Sequence, residues 1–382
     1  MEDAAYEPRE LSDRERRRVR RAKRGDRPEL AWPEGWSGQG RAARWPETKA
    51  RLEHEARQAA AGVDPATFGM DVARVHASEL TLGSFRERFE RPLLPCIVDG
   101  LADEWPARER WNLAELARDL RDVKLKCGED DDENSLKLKL KTFARYQATE
   151  ARRDDSPLYV FDSSFDRTAK RLLADYAVPR LFPEDLFELV GDARRPPHRW
   201  FLVGPERSGT TLHVDPLGTS AWNTTVRGRK LWVCFAPDAP RALVKGRKFV
   251  GPAGNDEAVD WFADLLPRVV RDPEFAASPS RGRYYRFVQH PGETVFVPHG
   301  WWHAVLNLDD TVAVTQNYVG SVNFVRAWRV TRVERRKMAR KWRHALARVR
   351  PDLHLLCVTA DAEDGFDLDA FIERKREERR RR

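Results

Sequence analysis

The chain has 382 residues, 41 % of them hydrophobic and 34 % charged, with a formal net charge of +8. That size and balance fit one large domain with extensions or two ordinary ones, and exclude a collagen-like fibre and a fully disordered chain. No apolar run approaches the roughly 20 residues a membrane helix needs, so no membrane span is expected. The opening stretch MEDAAYEPRELSDRERRR lacks the apolar core of a secretory signal. Cys96, Cys127, Cys234 and Cys357 are far apart with no CxxC pair, which points to a reducing compartment rather than a disulfide framework.

In chain order, residues 1–70 are polar and read as a basic arm or loosely packed helical extension, with a loop at 33–40 (PEGWSGQG). Within it, 14–24 (RERRRVRRAKR) carries eight basic residues and one acidic one. A second block at 374–382 (RKREERRRR) carries seven basic and two acidic, so the rest of the chain, taken together, is slightly acidic. Such blocks are nuclear-import or nucleic-acid-contacting segments, or solvated tails without a partner, and composition leaves both readings open.

Residues 71–160 form a mixed α/β flank. The spacing predicts a short strand at 95–100 (PCIVDG), a helix over 111–120 and a half-buried strand at 137–141 (KLKLK). Five consecutive acids at 129–133 are either an exposed turn or a site that attracts a basic peptide.

Residues 161–320 are β-rich. RWFLVG, TLHVD, SAWNTTV, KLWVCFA, RYYRFVQ, ETVFVP and TVAVTQNYV are short runs rich in Val, Thr and aromatics, many separated by Gly, Pro and Asp turns. Recurring short strands without long intervening helices predict an antiparallel sandwich or barrel. The stretch 255–268 reads as a helical insert. Residues 321–360 form a C-terminal helical segment, with apolar positions at Phe324, Trp328, Met338, Trp342, Leu346 and Val349, and 361–382 form the basic tail. There is no internal repeat.

The chemistry concentrates in His213-Val214-Asp215 at the end of a predicted strand. Residues two apart on a strand point to one side, so an imidazole and a carboxylate can converge on one metal. His303, after the strand ETVFVP, is the candidate third ligand. Two histidines and a carboxylate leave positions open for a 2-oxo acid and dioxygen, as in non-haem Fe(II) oxygenases. A zinc reading through His299 and His303 is weakened because Pro298 and Gly300 disfavour the helix that HxxxH needs. A dicarboxylate co-substrate needs a cation and a hydroxyl at its far end. Lys230 and Thr210 can supply them, and Asn223 and Thr315 are further strand polar residues able to face the cavity.

GPERSGTTLHVDPLGTSAWNTTVRGRKLWVCFAP and QHPGETVFVPHGWWHAVLNLDDTVAVTQNYV resemble the Jumonji-C oxygenases. The likeness runs over roughly residues 18–350, through RRAKRGDRPEL, RERFERPLLPCIVDG, KLKCGEDDDENSLKLKLK, RDDSPLYVFDSSF and RRPPHRWFLVGP. The resemblance implies a mainly β, jelly-roll or cupin-like double-stranded β-helix with N-terminal and C-terminal helical flanks. It implies Fe(II) held by His213, Asp215 and His303. It also implies 2-oxoglutarate contacted by Thr210, Asn223, Lys230 and Thr315, with Tyr159 nearby and O2 as oxidant. The implied reaction is C-5 hydroxylation of peptidyl lysine in arginine/serine-rich proteins such as splicing factors, with demethylation of methylarginine and action on histone tails as alternatives. A nuclear address and a homo-oligomer are implied as well. A rival reading is an RNA- or splicing-complex-binding protein, contacting RNA through its basic termini, in which oxygenase chemistry is secondary. Two departures stand out: an arginine-rich end replaces the serine-rich tail, and His299 stands where relatives carry a small residue.

Overall fold

The computed structural model describes residues 10–26, 40–129, 135–250, 257–280 and 282–381. The loop expected at 33–40, except Gly40, and the acidic run, except Glu129, lie outside the described residues. Thirteen strands are present among the described residues: β1 (Ala73–His76), β2 (Cys96–Asp99), β3 (Lys124–Glu129), β4 (Ser135–Lys139), β5 (Val160–Asp162), β6 (Arg199–Gly204), β7 (Gly209–His213), β8 (Ser220–Arg227), β9 (Lys230–Phe235), β10 (Tyr284–Gln289), β11 (Thr294–Val297), β12 (Trp302–Asn307) and β13 (Thr311–Tyr318). They form a seven-stranded sheet in the order β1-β2-β11-β8-β13-β6-β5, a four-stranded sheet in the order β10-β9-β12-β7, and the hairpin β3-β4.

This corrects the expected double-stranded β-helix. Among the described residues no sheet closes on itself: β1 and β5 are open edges of the larger sheet, β10 and β7 of the smaller. With β1 and β2 parallel and helices docked at both ends of the chain, the fold is mixed α/β instead of mainly β. Residue alternation specifies which faces are buried, but edge-to-edge closure depends on pairings it does not encode.

The central strands are apolar on both faces because both are covered. Trp232 and Cys234 of β9 pack with Val295 and Val297 of β11 in a core between the two sheets. Leu231, Val233 and Phe235 face the opposite way, into a core with the helical insert at 258–271 and α2. The strand expected at 137–141 ends at Lys139, and Leu140 opens a helix.

Among the described residues six longer helices flank the sheets: α1 (Asp13–Asp26), α2 (Trp45–Ala60), α3 (Phe324–Glu334), α4 (Arg336–Val349), α5 (Pro351–Glu363) and α6 (Leu368–Arg381). The helical spacing over 324–350 is split by Arg335, at φ −125 and ψ 47. A straight helix would hold Trp328 and Trp342 about 21 Å apart at 1.5 Å per residue. The break brings their rings to 6.0 Å in one core.

The first basic block is a docked helix. Val19 and Lys23 are fully buried in α1. Lys23 pairs with Asp154 at 3.2 Å and donates to the Ser156 carbonyl. Asp154 also accepts from Tyr146 Oη at 2.6 Å. At the other end Glu15 accepts from Ser12 and from Arg145. Arg14, Arg17, Arg18, Arg20 and Arg21 stay exposed.

Lys23→Ala would strand the Asp154 carboxylate in the interior. The expected cost is about 3–5 kcal/mol, the usual consequence of removing one partner of a buried pair, measured as a lower urea midpoint. Asp154→Asn in the same chain should restore part of it; a single variant as stable as the parent would show that this pair does not anchor α1.

Candidate metal centre and co-substrate cleft

β7 and β12 run antiparallel with His213 directly opposite His303, and the register then shifts so that Val305 faces Thr210. Such an irregularity bends a strand and re-aims its side chains. Close approach at this point requires Gly209: a Cβ there would lie 2.0 Å from the Val305 carbonyl oxygen. Asp215 lies beyond the end of β7, at the head of the 3-10 turn Pro216–Gly218. Leu217 in that turn adopts φ +58, a strained conformation held by burial of its side chain against α3. Gly218, at φ +68, leaves room for Ala327 of α3, whose Cα would sit 3.0 Å from a Cβ. Asn323 clamps the turn by donating to the Gly218 carbonyl at 3.0 Å.

The result is a compact cluster. Asp215 lies 4.0 Å from His213 Nε2 and 3.9 Å from His303 Nε2. One ligand atom from each of the three residues falls within 4.8 Å of the others. Each imidazole turns Nδ1 to the carbonyl two residues upstream: His213 to Thr211 at 2.8 Å, His303 to Trp301 at 3.2 Å. A carbonyl can only accept, so Nδ1 carries the proton and both Nε2 lone pairs face the cluster. Burial, reinforced by neighbouring His213, pushes His303 down to about 4, so it is neutral at physiological pH. Asp215 Oδ2 is buried without a hydrogen-bond partner. An unpaired buried carboxylate oxygen facing two imidazole lone pairs fits a divalent metal.

The HxxxH pair does not form a second centre. His299 sits in a turn, outside this cluster, its ring pushed down to about 4 by burial and Arg326.

The triad opens on a cleft of about 230 Å³ between the two sheets. The larger sheet contributes Asn223 and Thr315, directly opposite one another on β8 and β13. The smaller contributes Thr210 and Lys230, and Tyr159 closes the far side. Lys230 is fully buried, with Nζ 3.3 Å from the Tyr159 hydroxyl and no carboxylate in ion-pair range among the described residues. Burial pushes its ammonium down to about 7. Thr315 Oγ1 donates to the Trp222 carbonyl at 2.7 Å, whereas Asn223 Oδ1 is buried without a partner. An anion entering here meets a desolvated cation with its hydrogen-bonding capacity largely unused.

Sequence reasoning missed Trp232, Asn317, Phe161 and Trp200, which also line the cleft. Trp232 stacks on His303 with ring centroids 6.1 Å apart and donates to Gln289 at 2.9 Å. The signal existed for two of them: Trp232 and Asn317 each lie two residues beyond a candidate, on the same strand face.

Two imidazoles and one carboxylate at the mouth of an anion-ready cleft define a mononuclear non-haem iron oxygenase site. Residues 200–318 match the family model described as JmjC domain, hydroxylase. The chain is 43 % identical over 307 residues to the bifunctional arginine demethylase and lysyl-hydroxylase psr-1 of Caenorhabditis elegans, covering 79 % of this chain and 74 % of that protein. It is 45 % identical over 284 residues to the Caenorhabditis briggsae protein of the same name, with 74 % and 70 % coverage. It is 34 % identical over 251 residues to the arginine-specific demethylase JMJ22 of Arabidopsis thaliana, covering 64 % and 46 %. The chain belongs to the JmjC family of Fe(II)- and 2-oxoglutarate-dependent oxygenases.

Gly209→Ala should force β7 away from β12 and part the two histidines; weaker Fe(II) binding by calorimetry, with the far-ultraviolet circular dichroism spectrum unchanged, is the expected outcome. Binding of 2-oxoglutarate should weaken as pH rises through about 7, because free Lys230 loses its proton there while the bound dicarboxylate needs it charged. Lys230→Met should raise the KM for 2-oxoglutarate and flatten that pH dependence; an unaltered KM would assign the distal carboxylate to another cation.

Proposed function

We propose that this protein hydroxylates lysine side chains, at C-5, in arginine/serine-rich nuclear proteins. The reading is carried by the triad of His213, Asp215 and His303 at the mouth of a cleft whose far end holds the unpaired, buried Lys230. The names of the Caenorhabditis relatives support lysyl hydroxylation.

His213, Asp215 and His303 would hold the iron through Nε2, a carboxylate oxygen and Nε2. With 2-oxoglutarate and dioxygen, bound Fe(II) supplies oxidising power: the keto acid leaves as succinate and carbon dioxide, and one oxygen atom is inserted into a substrate C–H bond. This chain's residues handle the rest. Lys230, with Thr210 and the Tyr159 hydroxyl, neutralises and orients the distal carboxylate. Asn223 and Thr315 line the opposite wall. Trp232, Val297 and Val305 keep the cleft floor dry. Thr211 and Trp301 hold both histidines in the metal-binding tautomer through their carbonyls.

Demethylation of methylarginine is the second reading, favoured by the name of the Arabidopsis relative. Hydroxylation of the N-methyl carbon would release formaldehyde and the demethylated guanidinium. A nuclear address, histone tails as further targets, self-association and RNA contact through the basic termini complete the proposal. For the last, the exposed arginines of α1 are the available surface.

Mass spectrometry of a lysine-containing arginine/serine peptide, treated with protein, Fe(II) and 2-oxoglutarate, decides between the two. Gain of one oxygen on lysine is expected; loss of a methyl group from a methylarginine peptide with lysine untouched would replace the first reading with the second. Asp215→Ala should abolish either product while leaving the melting temperature of the metal-free protein unchanged or higher, since it removes an unpaired buried carboxylate.

A further inference from the structure

One cavity takes no part in this chemistry. It has a volume of about 430 Å³ and lies where the segment before β6 meets the break between α3 and α4. Pro196 and Pro197 form one wall, and Arg194, Arg335, Arg336 and Lys337 line it with a single carboxylate, Glu334. None of these four cations is paired with a carboxylate among the described residues. Their neighbours differ: Arg195 pairs with Asp185, Arg332 with Asp361 and Arg329 with Glu363. Those neighbouring arginines use nearby acids, while the cavity's own lining, four cations against Glu334, keeps a net positive charge. No residue in the first turn of α4 is acidic, so the amide end of that helix adds to the same field.

The cavity is also close to the catalytic cleft. Pro197 precedes Trp200 by three residues, and Trp200 lines the cleft. Three residues of extended chain span about 10 Å. A peptide leaving the cleft past Trp200 therefore reaches the cavity within a few residues. The cations gather around one solvent-open cavity, a cluster suited to a compact, doubly charged group, whereas a nucleic-acid strand needs a track of cations along its backbone. Phosphoserine brings a charge near −2 and three acceptor oxygens, which guanidinium groups recognise with paired hydrogen bonds.

We propose that this pocket binds a phosphoserine of the substrate peptide, a few residues from the modified side chain, and so selects phosphorylated stretches of serine-rich targets. The proposal rests on the peptide-hydroxylase reading above.

Two fluorescent arginine/serine peptides with one lysine, differing by a phosphoserine four positions from it, provide the test on the full chain. Anisotropy reads binding and mass spectrometry reads turnover. The phosphopeptide should bind about ten-fold more tightly, the yield of one net charge-assisted hydrogen bond. Arg194→Ala with Arg336→Ala should erase that difference while turnover of the plain peptide stays unchanged. Lys337→Glu, an exposed substitution, should do the same independently. Equal binding of both peptides by the parent protein overturns the proposal, as does a preference that survives in both variants. A single-stranded RNA oligonucleotide that binds more tightly than the phosphopeptide, and loses binding in the same variants, also overturns it and makes the pocket a nucleic-acid contact. If neither peptide is hydroxylated but the phosphate-dependent binding is present and variant-sensitive, the reaction assignment fails and the pocket stands.

Discussion

The approach of β7 to β12 is the constraint on which the centre depends. These two strands put His213 opposite His303, and a missing side chain at Gly209 lets the register shift beside them. The same local device acts on both strands, a ring Nδ1 bonded to the carbonyl two residues before it. Rigid strands thus fix ring orientation, tautomer and separation together, which is how a site gains precision without a loop to carry it. Asp215 is the exception, held by a turn and not by a strand. Its placement is inherited from α3, through Ala327 against Gly218 and Asn323 on the Gly218 carbonyl.

The cleft keeps two buried charges apart. Asp215 Oδ2 lacks a partner at the mouth, and Lys230 has the Tyr159 hydroxyl at the far end. Each is costly in an apolar setting, and Lys230 meets that cost by losing much of its proton affinity. A metal at one end and a dicarboxylate at the other relieve both costs at once. The folded protein therefore carries the preference for its ligands as unfavourable terms that binding removes.

Much of the site was legible from residue type and its place along or just after the short strands. His213 and Asp215 stand out as a pair, and Lys230, Asn223, Thr315 and Thr210 as polar side chains of β-rich segments, whereas Tyr159 follows from the resemblance alone. The structure places all of them around one cleft. Sheet closure was not legible, because pairing partners such as β2 with β11 come from distant parts of the chain. The split at Arg335 was hidden too: helical spacing is the same on both sides, and the demand that Trp328 and Trp342 share a core is a tertiary one. Charge counting also leaves the seating of 14–24 open. It registers eight cations but not that Lys23 is sealed against Asp154 while Arg18 faces water.

The C-terminal helices tie these observations together. α3 begins beside the turn that carries Asp215 and ends at Glu334, on the rim of the cationic cavity. At 11 residues it is about 16 Å long, a stiff strut between the two places. α4 is fixed in turn by Trp342 donating to the Leu186 carbonyl, and the junction after it by Arg350 on Glu184. Glu184 also holds Ser321, just beyond β13, the strand that carries Thr315. A helical unit that merely decorated the sheets would not need to reach the metal-binding turn and the strand behind the co-substrate cleft. Its contacts make it part of the scaffold that sets the geometry of both.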